Sequence, residues 1–364
     1  MRLRAIDWLR GLVVMLMTVD HAGSIFDAAH LHGDKGASWV RGSALPVGEF
    51  LTRWVTHLCA PAFILLAGAS MALSSERRRE QPGQTRFIVT RGLLIAALDP
   101  LWMSLGFTGY QRFVFQVLYA IGMSMVCMAF LRKLPSVALV AIAIAIQVFG
   151  ELTKHWAPVE QPWHALQGFL FLGGPVFERT VCPYPLVPWL SVMMLGWVLG
   201  RWLLEPRSQA SRARTLALLG LGLLVVFAVV RGMDGYGNWD LHRDSVDVLQ
   251  WLHVAKYPPS LSYVCLELGL ALLLLAGFTV LDVPERPMRL FAPLSLFGGT
   301  AFFFYLLHVH LLASVQVGYG VDRTSEGLTK TWVAAGLAIV VLAGPGWLYR
   351  RYKQSHPEGW TRYV

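Results

Sequence analysis

Charge is scarce in this 364-residue chain: Asp, Glu, Lys and Arg make up 15% of it, where a soluble globular protein carries about 25%. Hydrophobic residues account for 55%, and the mean hydropathy is +0.51. That balance excludes an ordinary soluble enzyme and implies a polytopic membrane protein. Cysteine is scarce too. Cys59, Cys127, Cys182 and Cys265 form no CxxC pair, so neither a disulfide framework nor a zinc site is suggested. There is no glycine-rich phosphate loop, no GxSxG and no HExxH. No low-complexity tract, separate soluble domain or internal repeat is visible, so residues 1–364 read as a single domain. The net charge is +9. With no basic soluble domain to carry it, the excess reads as membrane topology rather than nucleic-acid binding.

Long apolar runs fill most of the chain. A window of about 19 residues places spans near 5–26, 48–74, 86–106, 112–131, 135–151, 184–203, 212–231, 258–280, 290–316 and 329–349. The expected fold is therefore all-α, a bundle of about ten transmembrane helices. The first span has no small-residue cleavage site and reads as an anchor, not a cleaved signal. With the N-terminus in the cytoplasm, the inside segments hold nearly twice the Lys and Arg of the outside ones. The positive-inside rule then puts both termini in the cytoplasm. Three outside segments are long (27–47, 152–183 and 232–257) and rich in Trp, His, Gly and Pro, a composition that suits a functional surface.

Among all Lys and Arg, only Arg10, Arg53 and Arg91 lie within or at the edge of a span. The intramembrane acids are Asp7, Asp20, Asp99 and Glu267, and the histidines are His21, His57, His308 and His310. Charge at such depth is costly and marks a site or a pathway. Residues 4–21, RAIDWLRGLVVMLMTVDH, organise the set. Arg10 and His21 stand eleven residues apart, which is about three turns plus ~20° and roughly 16 Å along one helix face. His21, with Asp20 beside it, can take a proton from an incoming nucleophile. Arg10 can hold an anion, or pair with Asp7 and snorkel. Arg53 and His57 share a face of the second span, unless Arg53 pairs with Glu49, and Pro61 breaks the helix after them. Arg91 and Asp99 read as helix braces. Trp189, Lys256 and Tyr257 are interface anchors or substrate contacts. Tyr305 and His308 face inward together, whereas His308 and His310 diverge by about 200° and cannot share a metal.

The segments IDWLRGLVVMLMTVDH, FLTRWVTHLCAPAFILLAGAS, FQVLYAIGMSMV, YPLVPWLSVMMLGWVLG, VAKYPPSLSY and FFFYLLHVHLL resemble the bacterial membrane members of the heparan-α-glucosaminide N-acetyltransferase catalytic-domain family, within the wider transmembrane acyltransferase superfamily. The resemblance runs in order over nearly the whole chain. It implies an acyl-CoA donor, in the first instance acetyl-CoA, used from the cytoplasmic side of the bacterial inner membrane. It implies an acceptor, an amino sugar or other envelope glycan, modified on the other side. No metal or nucleic acid is implied, and a homo-oligomer is left open. Many superfamily members carry Arg-x10-His on the first helix, as Arg10 and His21 do, which makes His21 the candidate base. The eukaryotic lysosomal member has asparagine at the His21 position and its active histidine eleven residues later, which falls on His32; the two histidines are rivals. The resemblance also puts Arg10, Arg53, Arg91, Tyr305 and His308 toward the cofactor, Lys256, Tyr257 and Trp189 toward the acceptor, and Asp20 and His57 beside the base. Arg53 or His57 would steady the oxyanion.

Two other classes fit intramembrane charge: a secondary transporter, which the absent repeat disfavours, and a non-catalytic scaffold, which needs no Arg and His column on one helix. The topology is directly testable. A green fluorescent protein fused to the C-terminus should fluoresce, and alkaline phosphatase at the same place should stay inactive; the reverse pattern would invert the assignment.

Overall fold

Backbone amides in hydrocarbon find partners only within a helix or a closed barrel, and the apolar runs fold accordingly. The computed structural model describes residues 3–27, 34, 39–77, 83–156, 160–282, 289–320, 327–356, 359 and 361. The helices in chain order are α1 (Arg4–Phe26), α2 (Val47–His57), α3 (Cys59–Arg77), α4 (Gln84–Leu98), α5 (Ser104–Thr108), α6 (Val117–Leu131), α7 (Ser136–Phe149), α8 (Trp163–Gln167), α9 (Leu186–Leu204), α10 (Gln209–Met233), α11 (Val248–Leu252), α12 (Leu261–Leu281), α13 (Ala292–Gly299), α14 (Ala301–Tyr319) and α15 (Gly327–Ser355). Among the described residues, nine helical segments are long and apolar enough to cross a membrane, and α6 is a shorter apolar helix. The ten expected spans correspond to these ten segments. The protein is an all-α polytopic membrane protein.

Helix α1 sits inside the bundle and touches α2, α3, α12, α13, α14 and α15. We call the Arg10 end of α1 the near side and the Asp20–His21 end the far side. Several helix contacts are made backbone to backbone, as small residues allow in membranes. On α9, a Cβ at Gly196 would lie 2.1 Å from the Leu65 carbonyl oxygen of α3, and one at Gly200 would lie 2.5 Å from that of Ala69. On α13, a Cβ at Gly298 would lie 1.8 Å from the Asp7 carbonyl oxygen of α1.

Three expected spans are interrupted. The second divides at Leu58 into α2 and α3. Pro61 has no N–H to give the His57 carbonyl one turn back, and that carbonyl instead accepts the Tyr263 hydroxyl of α12 at 3.0 Å. The third passes through a π turn at Asp99–Met103, beginning with Asp99 and Pro100. The ninth divides at Thr300 into α13 and α14. The fourth span starts later than expected, at Val117, because Phe113–Val114 is a strand, β1. With β2 (Gly174–Phe177) and β3 (Thr180–Cys182) it forms a small sheet in the order β1-β3-β2, β1 parallel to β3 and β2 antiparallel.

Buried polar groups act as joints. Asp99 brace-pairs with backbone: one of its oxygens accepts from the amides of Gln116 and Tyr119, both at 2.7 Å, satisfying two donors that the start of α6 leaves open. Arg231, fully buried at the end of α10, donates to the carbonyls of Leu241 at 2.6 Å and Gln250 at 2.7 Å, folding the 234–252 segment over the far side.

The glycine contacts carry a prediction. Gly196→Leu should lower the thermal midpoint of the detergent-solubilised protein by the equivalent of about 1–3 kcal/mol, an overpacking cost. Gly222→Leu should leave it unchanged, since a Cβ there meets nothing within 4 Å. Equal midpoints for the two variants would show that the close α3–α9 approach at Gly196 does not limit stability.

Candidate functional site

The far end of α1 presents Asp20 and His21 to different surroundings. Asp20 faces α2, where Arg53 donates to it and the Thr56 hydroxyl reaches it at 2.8 Å. Arg53 also donates to one oxygen of Asp34 through Nε at 2.9 Å and Nη2 at 2.6 Å. The same Asp34 oxygen lies 3.2 Å from His57 Nε2. The Asp34 carbonyl accepts the amides of Lys256 at 2.9 Å and Tyr257 at 3.3 Å. All of Asp20, Asp34, Arg53, His57 and Lys256 are buried. Burial works against the Asp34 carboxylate, but Arg53, His57 and Lys256 outweigh it and hold the carboxyl well below the usual aspartate range.

This cluster corrects several expectations. Arg53 meets Asp20 and Asp34 rather than Glu49. Asp34 thus engages both Arg53 and His57, the two groups that share a face of the second span. Lys256 is not at a water interface: it is 2% exposed, with Nζ 5.2 Å from the Tyr257 ring centre. Trp189 is fully buried against Tyr184 and Tyr263. Tyr257 keeps partial exposure beside Tyr184. His32 lies outside the described residues.

His21 faces the other way, toward α5 and α14. Its ring lies nearly parallel to that of His308, tilted by 14° with centres 4.9 Å apart, and Nδ1 lies 2.7 Å from His308 Nε2. Phe107 stands edge-on to His21 at 5.0 Å and Tyr305 at 6.2 Å. His308 is fully buried, while His21 keeps partial exposure. His310 points away, as its angle around the helix requires, and stacks on Trp102.

A cavity of about 350 Å³ opens between α1, α3, α4, α6, α14 and α15. Arg10, Arg91 and Lys353 line it, and so does Tyr305. Arg10 donates to Ser70 Oγ at 2.6 Å, to the Gly298 carbonyl at 3.2 Å and to Asp7 at 3.3 Å. Both readings of Arg10 therefore hold at once: it pairs with Asp7 and it faces a cavity. The Tyr305 hydroxyl is buried with no hydrogen-bond partner among the described residues. A cationic lining toward the near side, an apolar wall and a polar terminus beside a histidine suit a long anionic ligand whose reactive end is carried inward.

Two contributors, Asp34 and Lys353, carry little signal in the sequence. Asp34 falls in the 27–47 segment between two spans, whose sequence has no helical periodicity to single it out. Lys353 is one of several near-terminal cations, and only the fold separates it from the rest. Among the described residues, no group of three or more His, Cys, Asp or Glu side chains could hold a metal ion. The Asp34 cluster yields a pH prediction. An aspartate held below its unfolded value stabilises the fold above that value, about pH 4, and the benefit is lost as pH falls toward the folded value. Asp34→Asn should therefore cost about 3–5 kcal/mol at neutral pH, with the gap to wild type closing in acid unfolding titrations; a gap independent of pH would assign the loss to packing.

Comparison with known proteins adds the family. No curated protein matches the chain. A family profile described as heparan-alpha-glucosaminide N-acetyltransferase, catalytic, matches residues 2–230, which takes in α1 to α9 and most of α10 and hence the Arg10–His21 column, Arg53 with Asp20, Asp34 and His57, and much of the cavity wall. The chain therefore belongs to the heparan-α-glucosaminide N-acetyltransferase catalytic-domain family, membrane enzymes of the N-acetyltransferase type.

Proposed function

We propose that this protein moves an acetyl group from cytoplasmic acetyl-CoA to an amino sugar or other envelope glycan on the far side of the bacterial inner membrane. The observation that carries the reading is the cavity that runs from Arg10, Arg91 and Lys353 to Tyr305, whose ring lies 6.2 Å from that of His21. Its volume of about 350 Å³ falls within the range of ligand pockets, ~300–1,000 Å³. The near-side cations meet the phosphates of the donor, which fixed positive charge attracts. The pantetheine arm follows the apolar wall, and the thioester arrives next to Tyr305.

The chemistry is then direct transfer. The acceptor nitrogen or oxygen attacks the thioester carbonyl carbon as His21 removes its proton. The carbonyl oxygen gains negative charge and accepts a hydrogen bond from Tyr305, the buried hydroxyl that has no other described partner. The carbon–sulfur bond breaks, the acetyl group stays on the acceptor and the thiolate leaves with coenzyme A. Asp20 acts at one remove, holding Arg53 and through it the Asp34 cap over Lys256 and Tyr257.

Acetyl-CoA binding and turnover by purified protein in detergent test this reading. His21→Ala should keep saturable binding and lose turnover, and Tyr305→Phe should lower turnover by about 10²–10³-fold. Full turnover in His21→Ala would move the base to another histidine. No saturable binding by folded wild-type protein would overturn the enzyme reading in favour of a transporter.

A further inference from the structure

His21 and His308 meet ring to ring, but the contact is not symmetrical. His308 Nδ1 lies 3.0 Å from the carbonyl oxygen of Phe304, one turn back on α14. A carbonyl oxygen only accepts, so His308 Nδ1 carries a proton. In neutral imidazole one ring nitrogen donates and the other accepts. Neutral His308 therefore presents a lone pair at Nε2. The 2.7 Å contact with His21 Nδ1 is then a hydrogen bond only if His21 Nδ1 is the donor. That puts the proton of neutral His21 on Nδ1 and leaves its lone pair on Nε2.

We propose that His308 is a positioning residue that fixes the His21 tautomer through this relay, from the Phe304 carbonyl to His308 to His21. The proposal rests on the acetyltransferase reading for its purpose, since Nε2 is then the atom that receives the acceptor's proton. The relay holds through the reaction. When His21 takes that proton on Nε2, Nδ1 remains a donor and His308 remains its acceptor, so no second proton moves. A buried carboxylate commonly orients a catalytic histidine, but the acid next to His21 is otherwise engaged: Asp20 receives Arg53 and Thr56. Nearly parallel rings, tilted by 14°, and complete burial of His308 hold the donor–acceptor line against water. The Phe304 ring lies nearly parallel to that of His308, with centres 5.6 Å apart.

The test is nitrogen NMR on protein carrying ¹⁵N-labelled histidine in lipid bilayers at mildly alkaline pH, with the His21 signals identified by their loss in His21→Gln. Wild type should show His21 protonated at Nδ1 and bare at Nε2. His308→Leu, which removes the acceptor, should move the proton to Nε2. His308→Gln, whose side-chain oxygen can stand near the lost Nε2, should keep it on Nδ1. In turnover, His308→Leu should lower kcat by about 10²–10⁴-fold, the usual worth of a general base, with the KM for acetyl-CoA changed by less than about twofold. His308→Gln should remain within about tenfold of wild type. Wild-type His21 protonated at Nε2, a tautomer unmoved by His308→Leu, or equal losses in the two variants would each overturn the proposal. The wild-type spectrum needs neither turnover nor a variant of His308, so it decides the relay even if no acetyl group is transferred.

Discussion

The Arg53 guanidinium, shared between Asp20 and Asp34, is the interaction on which the far half of the bundle depends. It joins the central helix α1 to α2 and draws Asp34 inward, and the Asp34 backbone then holds the amides of Lys256 and Tyr257. Two carboxylates answer one arginine, with His57 and Lys256 close by, so the charges nearly balance where water is excluded. Removing one partner from such a set leaves a buried charge uncompensated, which is why buried pairs are costly to break even where their net worth is small. The cluster sits one residue from His21, yet it faces a different helix. Structural charge and candidate chemistry are separated by the 100° turn between neighbouring residues on α1.

That separation explains the division along α1. Near-side Arg10 is tied to Asp7 and still reaches Ser70 and Gly298 at the cavity wall. Far-side His21 has, among the described residues, a hydrogen bond to another histidine. A guanidinium has five donors and can serve structure and ligand at the same time. A neutral imidazole has a single donor and a single acceptor, so its bond to His308 decides which nitrogen remains for a substrate. The backbone contacts at Gly196, Gly200 and Gly298 hold the helices that carry these groups at fixed spacing, as positioning to within a fraction of an ångström requires.

Most of the fold was legible in the sequence, because in hydrocarbon the apolar run and the helix are nearly the same statement. The exceptions had local causes. The break before Pro61 was legible from the proline itself, but the π turn that begins at Asp99 and Pro100 was not, and the strand at Phe113–Val114 shortened the fourth span because an apolar pair has no periodicity of its own. The site was legible only in part. The Arg10–His21 column and the inward pairing of Tyr305 with His308 follow from angles around a single helix. The fate of Arg53 did not: its partner Asp34 comes from a loop, and no spacing rule joins a loop residue to a helix. Lys256 and Trp189 read as interface residues for the same reason, since burial by a folded-back segment leaves no mark in hydropathy.

Unsatisfied polar atoms separate structure from function here only when their location is added. Trp189, Trp197 and Ser124 also have buried polar atoms without described partners, and none of them lines the cavity. Tyr305 meets both conditions, with an unengaged hydroxyl and a place on the cavity wall. Tyr349 does too, and its ring stacks on Phe303 at 4.4 Å. A hydroxyl kept from water and given no internal partner costs on the order of 1–3 kcal/mol, a cost that a ligand removes on binding. Two such hydroxyls in a cavity that also holds Arg10, Arg91 and Lys353 favour a ligand with acceptors along its length. A thioester of a phosphorylated carrier has acceptors at both ends, which is the kind of ligand that the proposed function assigns to this cavity.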